Sequence, residues 1–251
     1  MMDGIEECVA GFPDLYNVWF YGHRIETLVT YESSRVIEWI DETEFIHRRR
    51  LHHLVVGLDV EWRPNRYRGE SNPVATLQLC VGHRCLIFQP LYCSQIPDAL
   101  HRFLSDSNYT FVGVGIHTDL ELLAQDHELE VANAVDLRTI AANQFNDRSL
   151  ERVGLKHLAV TYMGAEMDKP RRVTLSDWAR DSLTLEQIQY ACIDAYFSLS
   201  SALHPCLPVT YSLCIAPERR QNTGRPPSLT KFPMVLFPFV NQKGISLKSI
   251  C

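Results

Sequence analysis

The segment Leu54 to Pro64, LVVGLDVEWRP, constrains this chain more than any other, because a largely apolar run ends in two acids. A short, β-branched run of this kind predicts a strand buried inside a sheet. Side chains two apart on a strand project to one face, so Asp59 and Glu61 point the same way. Two anions held together repel, and they need a shared cation, an arginine, a raised pKa or solvent at the strand end. A Mg²⁺ site built from carboxylates and water is the functional solution, and solvated strand-end acids are the structural one.

The surrounding pattern predicts an α/β chain. Residues 16–31 (YNVWFYGHRIETLVTY) read as a hairpin around Gly22-His23, and residues 33–47 as a helix capped by Ser33 or Ser34. Three consecutive strands follow, Leu54 to Trp62, Val74 to Val81 and Arg84 to Gln89, with the last two joined at Gly82-His83 as in a meander. Beyond them the sequence predicts a helix at about 96–105, a strand from Tyr109 to Gly113, and helices at about 118–129, 136–143, 149–163 and 185–203. Strands first and alternating helices and strands after imply a mixed sheet flanked by helices. There is neither G-x-x-x-x-G-K-[ST] nor G-x-G-x-x-G, which argues against P-loop and Rossmann readings.

Charge divides the chain. Residues 205–251 hold six Lys or Arg, one acid and seven of the 13 prolines, a net +5, which leaves −11 on residues 1–204. The proline-rich segment shows no helical or strand period and is expected to be an irregular or disordered tail. A body so acidic is a poor non-specific phosphate binder, so any nucleic-acid function must be local. The expected organisation is an N-terminal extension with the first hairpin strand at 1–24, a domain at 25–204 and the tail at 205–251. The longest apolar run, Phe232 to Val240, is interrupted by Pro233 and Pro238, so no membrane span is expected. The acidic N-terminus without an apolar h-region predicts an intracellular protein, nuclear or cytoplasmic. The eight cysteines show no C-x-x-C pair and are read as buried or free thiols.

Two further places carry candidate chemistry. In TLEQIQYACIDAYFSLSSALH, Thr184 and Gln187 form a capping box, and Leu185, Ile188, Cys192, Ala195, Leu199 and Ala202 form a buried stripe. Tyr190 and Asp194, four apart, share the other side of that helix. In VGVGIHTDLELL, a short apolar strand ends at Gly115 and Asp119 opens a helix, as a cap, a dipole partner or a functional acid. Each acid sits at a strand end or on the far side of a helix, where side chains can converge beside a sheet.

Taken together, D-x-E at the end of an apolar strand (Asp59, Glu61), an Asp after a GVGI strand (Asp119) and Y-x-x-x-D on a late helix (Tyr190, Asp194) resemble the three motifs of the DEDDy 3′-5′ exonucleases. The resemblance is to the Werner syndrome-like exonuclease family and its stand-alone plant members, over roughly residues 25–204. It implies a ribonuclease H-like fold and two-metal phosphodiester hydrolysis from the 3′ end of single-stranded or frayed DNA or RNA. It further implies that Asp59, Glu61 and Asp194 hold the metal that activates water, with Asp59 bridging to a second metal placed by Asp119. Mg²⁺ is the implied ion, with Mn²⁺ able to substitute. Tyr190 would orient the water, while Val60 by its main chain and Trp62 by apolar packing would meet the terminal nucleotide. Arg63, Arg66 and Arg68, and Lys169, Arg171 and Arg172, are candidate phosphate contacts. Some stand-alone relatives assemble as rings, which leaves a homo-oligomer open. A catalytically silent nucleic-acid-binding or scaffold protein is the alternative on the same fold.

Overall fold

In the computed structural model, which describes residues 4–7, 14–160 and 167–203, eight strands form one mixed sheet. They are β1 (Gly4–Glu7), β2 (Leu15–Phe20), β3 (His23–Thr30), β4 (Leu54–Trp62), β5 (Val74–Val81), β6 (Arg84–Phe88), β7 (Tyr109–Gly113) and β8 (Ala134–Asp136), in spatial order β1-β2-β3-β6-β5-β4-β7-β8. Around them lie α1 (Ser33–His47), α2 (Asp98–Ser105), α3 (Ile116–His127), α4 (Leu137–Phe145), α5 (Leu155–Leu158), α6 (Arg171–Thr174) and α7 (Leu185–Leu203). The mixed sheet with flanking helices is the architecture expected. The tail at 205–251 lies outside the described residues.

The hairpin between β2 and β3 turns through Tyr21 (φ 47°) and Gly22 (φ 81°), both left-handed, the geometry that matches the twist of a two-residue hairpin. β3 then pairs in parallel with β6, so the hairpin is continuous with the main sheet. The meander β4-β5-β6 is antiparallel throughout, and β4 and β7, then β7 and β8, pair in parallel. Alternation sorts the core into two layers. Val56, Leu58 and Val60 pack with Val36 and Trp39 of α1, Phe103 of α2 and Leu123 of α3. Val55 faces the other way, into the layer that holds Ile188, Ala191, Ala195 and Leu199 of α7.

Two local expectations need correction. Ser33 and Ser34 do not cap α1. The cap residue is Glu32, without a side-chain hydrogen bond, and the Ser33 hydroxyl instead donates to the Gln95 carbonyl at 2.5 Å. The long helix expected at 149–163 is broken at Gly154, whose extended backbone separates a 3₁₀ turn at Arg148–Arg152 from α5; residues 161–163 lie outside the described residues. The short strands β1 and β8 and the single-turn helix α6 carry too few residues to show a period. The capping box of α7 is present as expected: Gln187 N donates to Thr184 Oγ1 at 3.2 Å and Thr184 N to Gln187 Oε1 at 2.9 Å.

Candidate active site

Gly57 decides how close α7 comes to the sheet. A Cβ there would stand 2.1 Å from the Ala195 carbonyl oxygen and 3.0 Å from Leu199 Cβ, so only glycine lets the helix rest on β4. Gly57, Asp59 and Glu61 share one face of β4, and Asp194 immediately precedes Ala195 on the helix. The close approach therefore sets a helix carboxylate beside two strand carboxylates. One oxygen each from Asp59, Glu61 and Asp194 lies within 4.8 Å of the others. A bulge between Glu61 and Trp62 ends the regular pairing with β5 just beyond this point.

The three acids oppose one another. Burial, and then the charges of Asp194 and Asp119, hold the Asp59 carboxyl well above the usual carboxylate range, against the partial relief of Lys169 and the Val60 amide. Glu61 is pushed well up by burial and then by Asp59 and Asp194, again with relief from Lys169. Asp194 is raised by burial although Lys169 and Tyr190 both stabilise its charge. One ammonium thus leaves the cluster short of positive charge. Hard carboxylate oxygens converging from a rigid strand and helix are the donors that Mg²⁺, Mn²⁺ and Ca²⁺ prefer, so the residues fit a divalent cation.

Asp119 opens α3 as expected, buried to 9 % exposure, but outside the group of three. Burial, and then the charge of Asp136, lift its pKa to about 7, with Arg138 opposing. Tyr190 and Asp194 are both buried, not solvated, because Tyr190 packs on Trp178 with ring centres 6.0 Å apart and Lys169 covers Asp194. Burial, and then the negative charges of Asp194, Glu61 and Asp59, drive the Tyr190 pKa far upward, so it stays a phenol that hydrogen-bonds to Asp194. Val60 is buried in the opposite core layer, and Trp62 is half-buried against that same layer.

Of the two basic loops, Lys169 alone reaches the acids, with Nζ 2.5 Å from Asp194 Oδ2. Arg172 pairs with Glu186 on the surface, and Arg63 donates to Asn72 at 3.3 Å. Sequence reasoning missed Arg138. Its guanidinium is held by three contacts of 2.7 to 3.1 Å to the buried Asp136 and rests 3.2 Å from where a Cβ on Gly115 would lie. With Arg152 and Lys169 it lines a cavity of about 320 Å³ that adjoins Asp59 and Asp194. The one available signal was D-L-R at 136–138, an Asp cap two residues before an Arg.

The family model described as 3′-5′ exonuclease matches residues 35–204. The chain belongs to the 3′-5′ exonuclease family. A 3′-5′ exonuclease of Arabidopsis thaliana is 35 % identical over 144 residues, 57 % of this chain and 49 % of that protein. The bifunctional 3′-5′ exonuclease/ATP-dependent helicase WRN of Mus musculus is 32 % identical over 146 residues, 58 % of this chain and 10 % of that protein. The chain thus spans about half the length of the first of these relatives and a small part of the second. Among solved structures, Escherichia coli RNase D, an exoribonuclease involved in structured RNA processing, superposes with a TM-score of 0.58 at 20 % identity, over 75 % of this chain and 44 % of that one. That likeness concerns the fold, and it agrees with the ribonuclease H-like architecture of this exonuclease domain. Among the described residues no helix is long and apolar enough to cross a membrane.

Proposed function

We propose that this chain is a metal-dependent 3′-5′ exonuclease of the DEDDy type, hydrolysing phosphodiester bonds from the 3′ end of single-stranded or frayed DNA or RNA and releasing nucleoside 5′-monophosphates. The observation that carries this reading is the convergence of Asp59, Glu61 and Asp194 within 4.8 Å on a strand and a helix that cannot separate without losing the Gly57 contact. Asp59, Glu61 and Asp194 would hold Mg²⁺, for which Mn²⁺ can stand in, and Asp119 with Asp59 would serve a second ion. When bound, such ions would lower the pKa of water and offset the negative charge of the phosphodiester.

The remaining work falls to this chain's own groups. Tyr190, kept a phenol by its acidic surroundings, orients the attacking water by a hydrogen bond and does not serve as a base. Arg138, preorganised by Asp136, and Arg152 line the adjoining cavity and suit the phosphates of the strand. The Val60 main chain and the Trp62 ring, at the end of the same strand, serve the terminal nucleotide. The domain spans 25–204 and works without help from a large basic face, in keeping with the −11 of residues 1–204.

The test is a time course on 5′-labelled single-stranded DNA and RNA of one sequence, with Mg²⁺ or Mn²⁺ and with chelator. A ladder shortening from the 3′ end, absent with chelator, is the expected result, and the faster strand names the preferred sugar. Folded protein that leaves both strands intact while still binding them would replace this reading with the silent nucleic-acid-binding one.

A further inference from the structure

Lys169 stands apart from every other cation near the site. Its Nζ lies 2.5 Å from Asp194 Oδ2 and 5.3 Å from the centre of the Tyr190 ring, and its charge is also felt by Asp59 and Glu61. The Lys169 side chain is 25 % exposed while that of Asp194 is 4 % exposed, so the pair joins a buried anion to a cation that still reaches solvent. Lys169 belongs to no helix or strand, and the next regular element, α6, starts at Arg171. A compact ammonium on a flexible four-carbon stem can move where a helix-borne carboxylate cannot.

A divalent ion held by Asp59, Glu61 and Asp194 and an ammonium hydrogen-bonded to Asp194 draw on the same carboxylate, and two cations this close repel. Both therefore cannot sit at full strength on Asp194. The cavity that adjoins Asp59 and Asp194 already counts Lys169 among its lining residues, next to Arg138 and Arg152. Those two guanidinium groups repel it, so the path off the carboxylate leads to the solvent that the Lys169 side chain already reaches.

We propose that Lys169 is an exchangeable counter-ion of the carboxylate cluster, paired with Asp194 until a divalent cation binds and released by that binding toward solvent. The inference rests on the metal-dependent reading above and deepens it. An interaction made only in the metal-free form lowers metal affinity by its own strength, so Lys169 sets the concentration of divalent cation at which the site loads. It acts through Asp194 and is a positioning residue.

The experiment is a calorimetric titration of the full chain with Mn²⁺ at pH 8, comparing wild type, Lys169→Met and Lys169→Arg, with thermal unfolding of each in chelator. Lys169→Met keeps most of the stem and loses the charge, and Lys169→Gln replaces it if the Met variant does not fold. The expected result is Mn²⁺ binding about tenfold tighter in Lys169→Met, close to wild type in Lys169→Arg, and a lower unfolding midpoint in chelator for Lys169→Met alone. Unchanged or weaker Mn²⁺ binding in a folded, charge-free variant overturns the exchange, because the ammonium then stays on Asp194 or never opposed the ion. Wild-type protein that binds no Mn²⁺ at all strikes the metal-dependent reading itself, which is a separate failure.

Discussion

The two faces of β4 place opposite demands on one strand. Val56, Leu58 and Val60 face α1, α2 and α3 and lie in a closed apolar layer, whereas Gly57, Asp59 and Glu61 face α7 and gather charge. Burial of each large apolar side chain on the first face stabilises the fold by about 1.5–3 kcal/mol. On the second face burial acts in the other direction, since it raises the pKa of Asp59, Glu61 and Asp194 and disfavours their ionised forms. A rigid strand is what lets the two coexist: the apolar face fixes the backbone that the acidic face would otherwise push apart. Function here draws on stability supplied one residue away.

The contrast can be broken most severely on the acidic face. Asp59→Asn removes a reacting-centre ligand and is expected to slow strand shortening by about a thousandfold or more. The same change removes one of three mutually repelling charges, so the unfolding midpoint in chelator should rise. Parallel rate and melting measurements check both halves, and a variant that loses activity by unfolding would deny that the acidic face is the destabilising one.

Packing changes come next in size. Leu58→Ala, on the apolar face, should cost about 3 kcal/mol in denaturant unfolding while leaving the Mn²⁺ affinity of the folded protein unchanged. Gly57→Ala should cost about 2 kcal/mol and also weaken Mn²⁺ binding, because a Cβ 2.1 Å from the Ala195 carbonyl has to push α7, and Asp194 with it, off the strand. Equal Mn²⁺ affinities for the two variants would separate the helix approach from the site.

The last effect is a pH slope. The folded pKa of Asp119, about 7, lies above its ordinary value of 3.8, so between those pH values the folded state keeps a proton that the unfolded state has lost. In chelator the contribution of this group is whole below about pH 4 and fades as pH rises through about 7. Melting curves from pH 4.5 to 8 should show the decline, and Asp119→Asn should make it shallower while leaving the part due to Asp59, Glu61 and Asp194.

Much of this was legible because it is written in local patterns. The apolar run into Asp59 and Glu61, the strand from Tyr109 to Gly113 and the capping box of α7 each carry their period or their cap within a few residues. Burial of Tyr190 and Asp194 was not legible, since the stripe of Leu185, Ile188 and Cys192 gives one apolar face and says nothing of Trp178 and Lys169 closing over the other. The break at Gly154 was hidden by hydrophobic spacing that suits one helix or two. Ser33 could have been a cap on local grounds, but the Gln95 carbonyl, 62 positions away, takes its hydroxyl. Lys169 read as one of three basic residues in a loop, and only the tertiary fold distinguishes it from Arg172, which pairs at the surface with Glu186.

The measurement that goes most directly to the difference between the two faces is the rate at which a 5′-labelled single strand shortens in Mg²⁺, taken side by side for wild type, Asp59→Asn and Leu58→Val. The two substitutions are neighbours in sequence and opposites in direction. Near-wild-type shortening by Leu58→Val with none by a fully folded Asp59→Asn is the expected result. Comparable activity in both variants would contradict the assignment of catalysis to the face of β4 that meets α7.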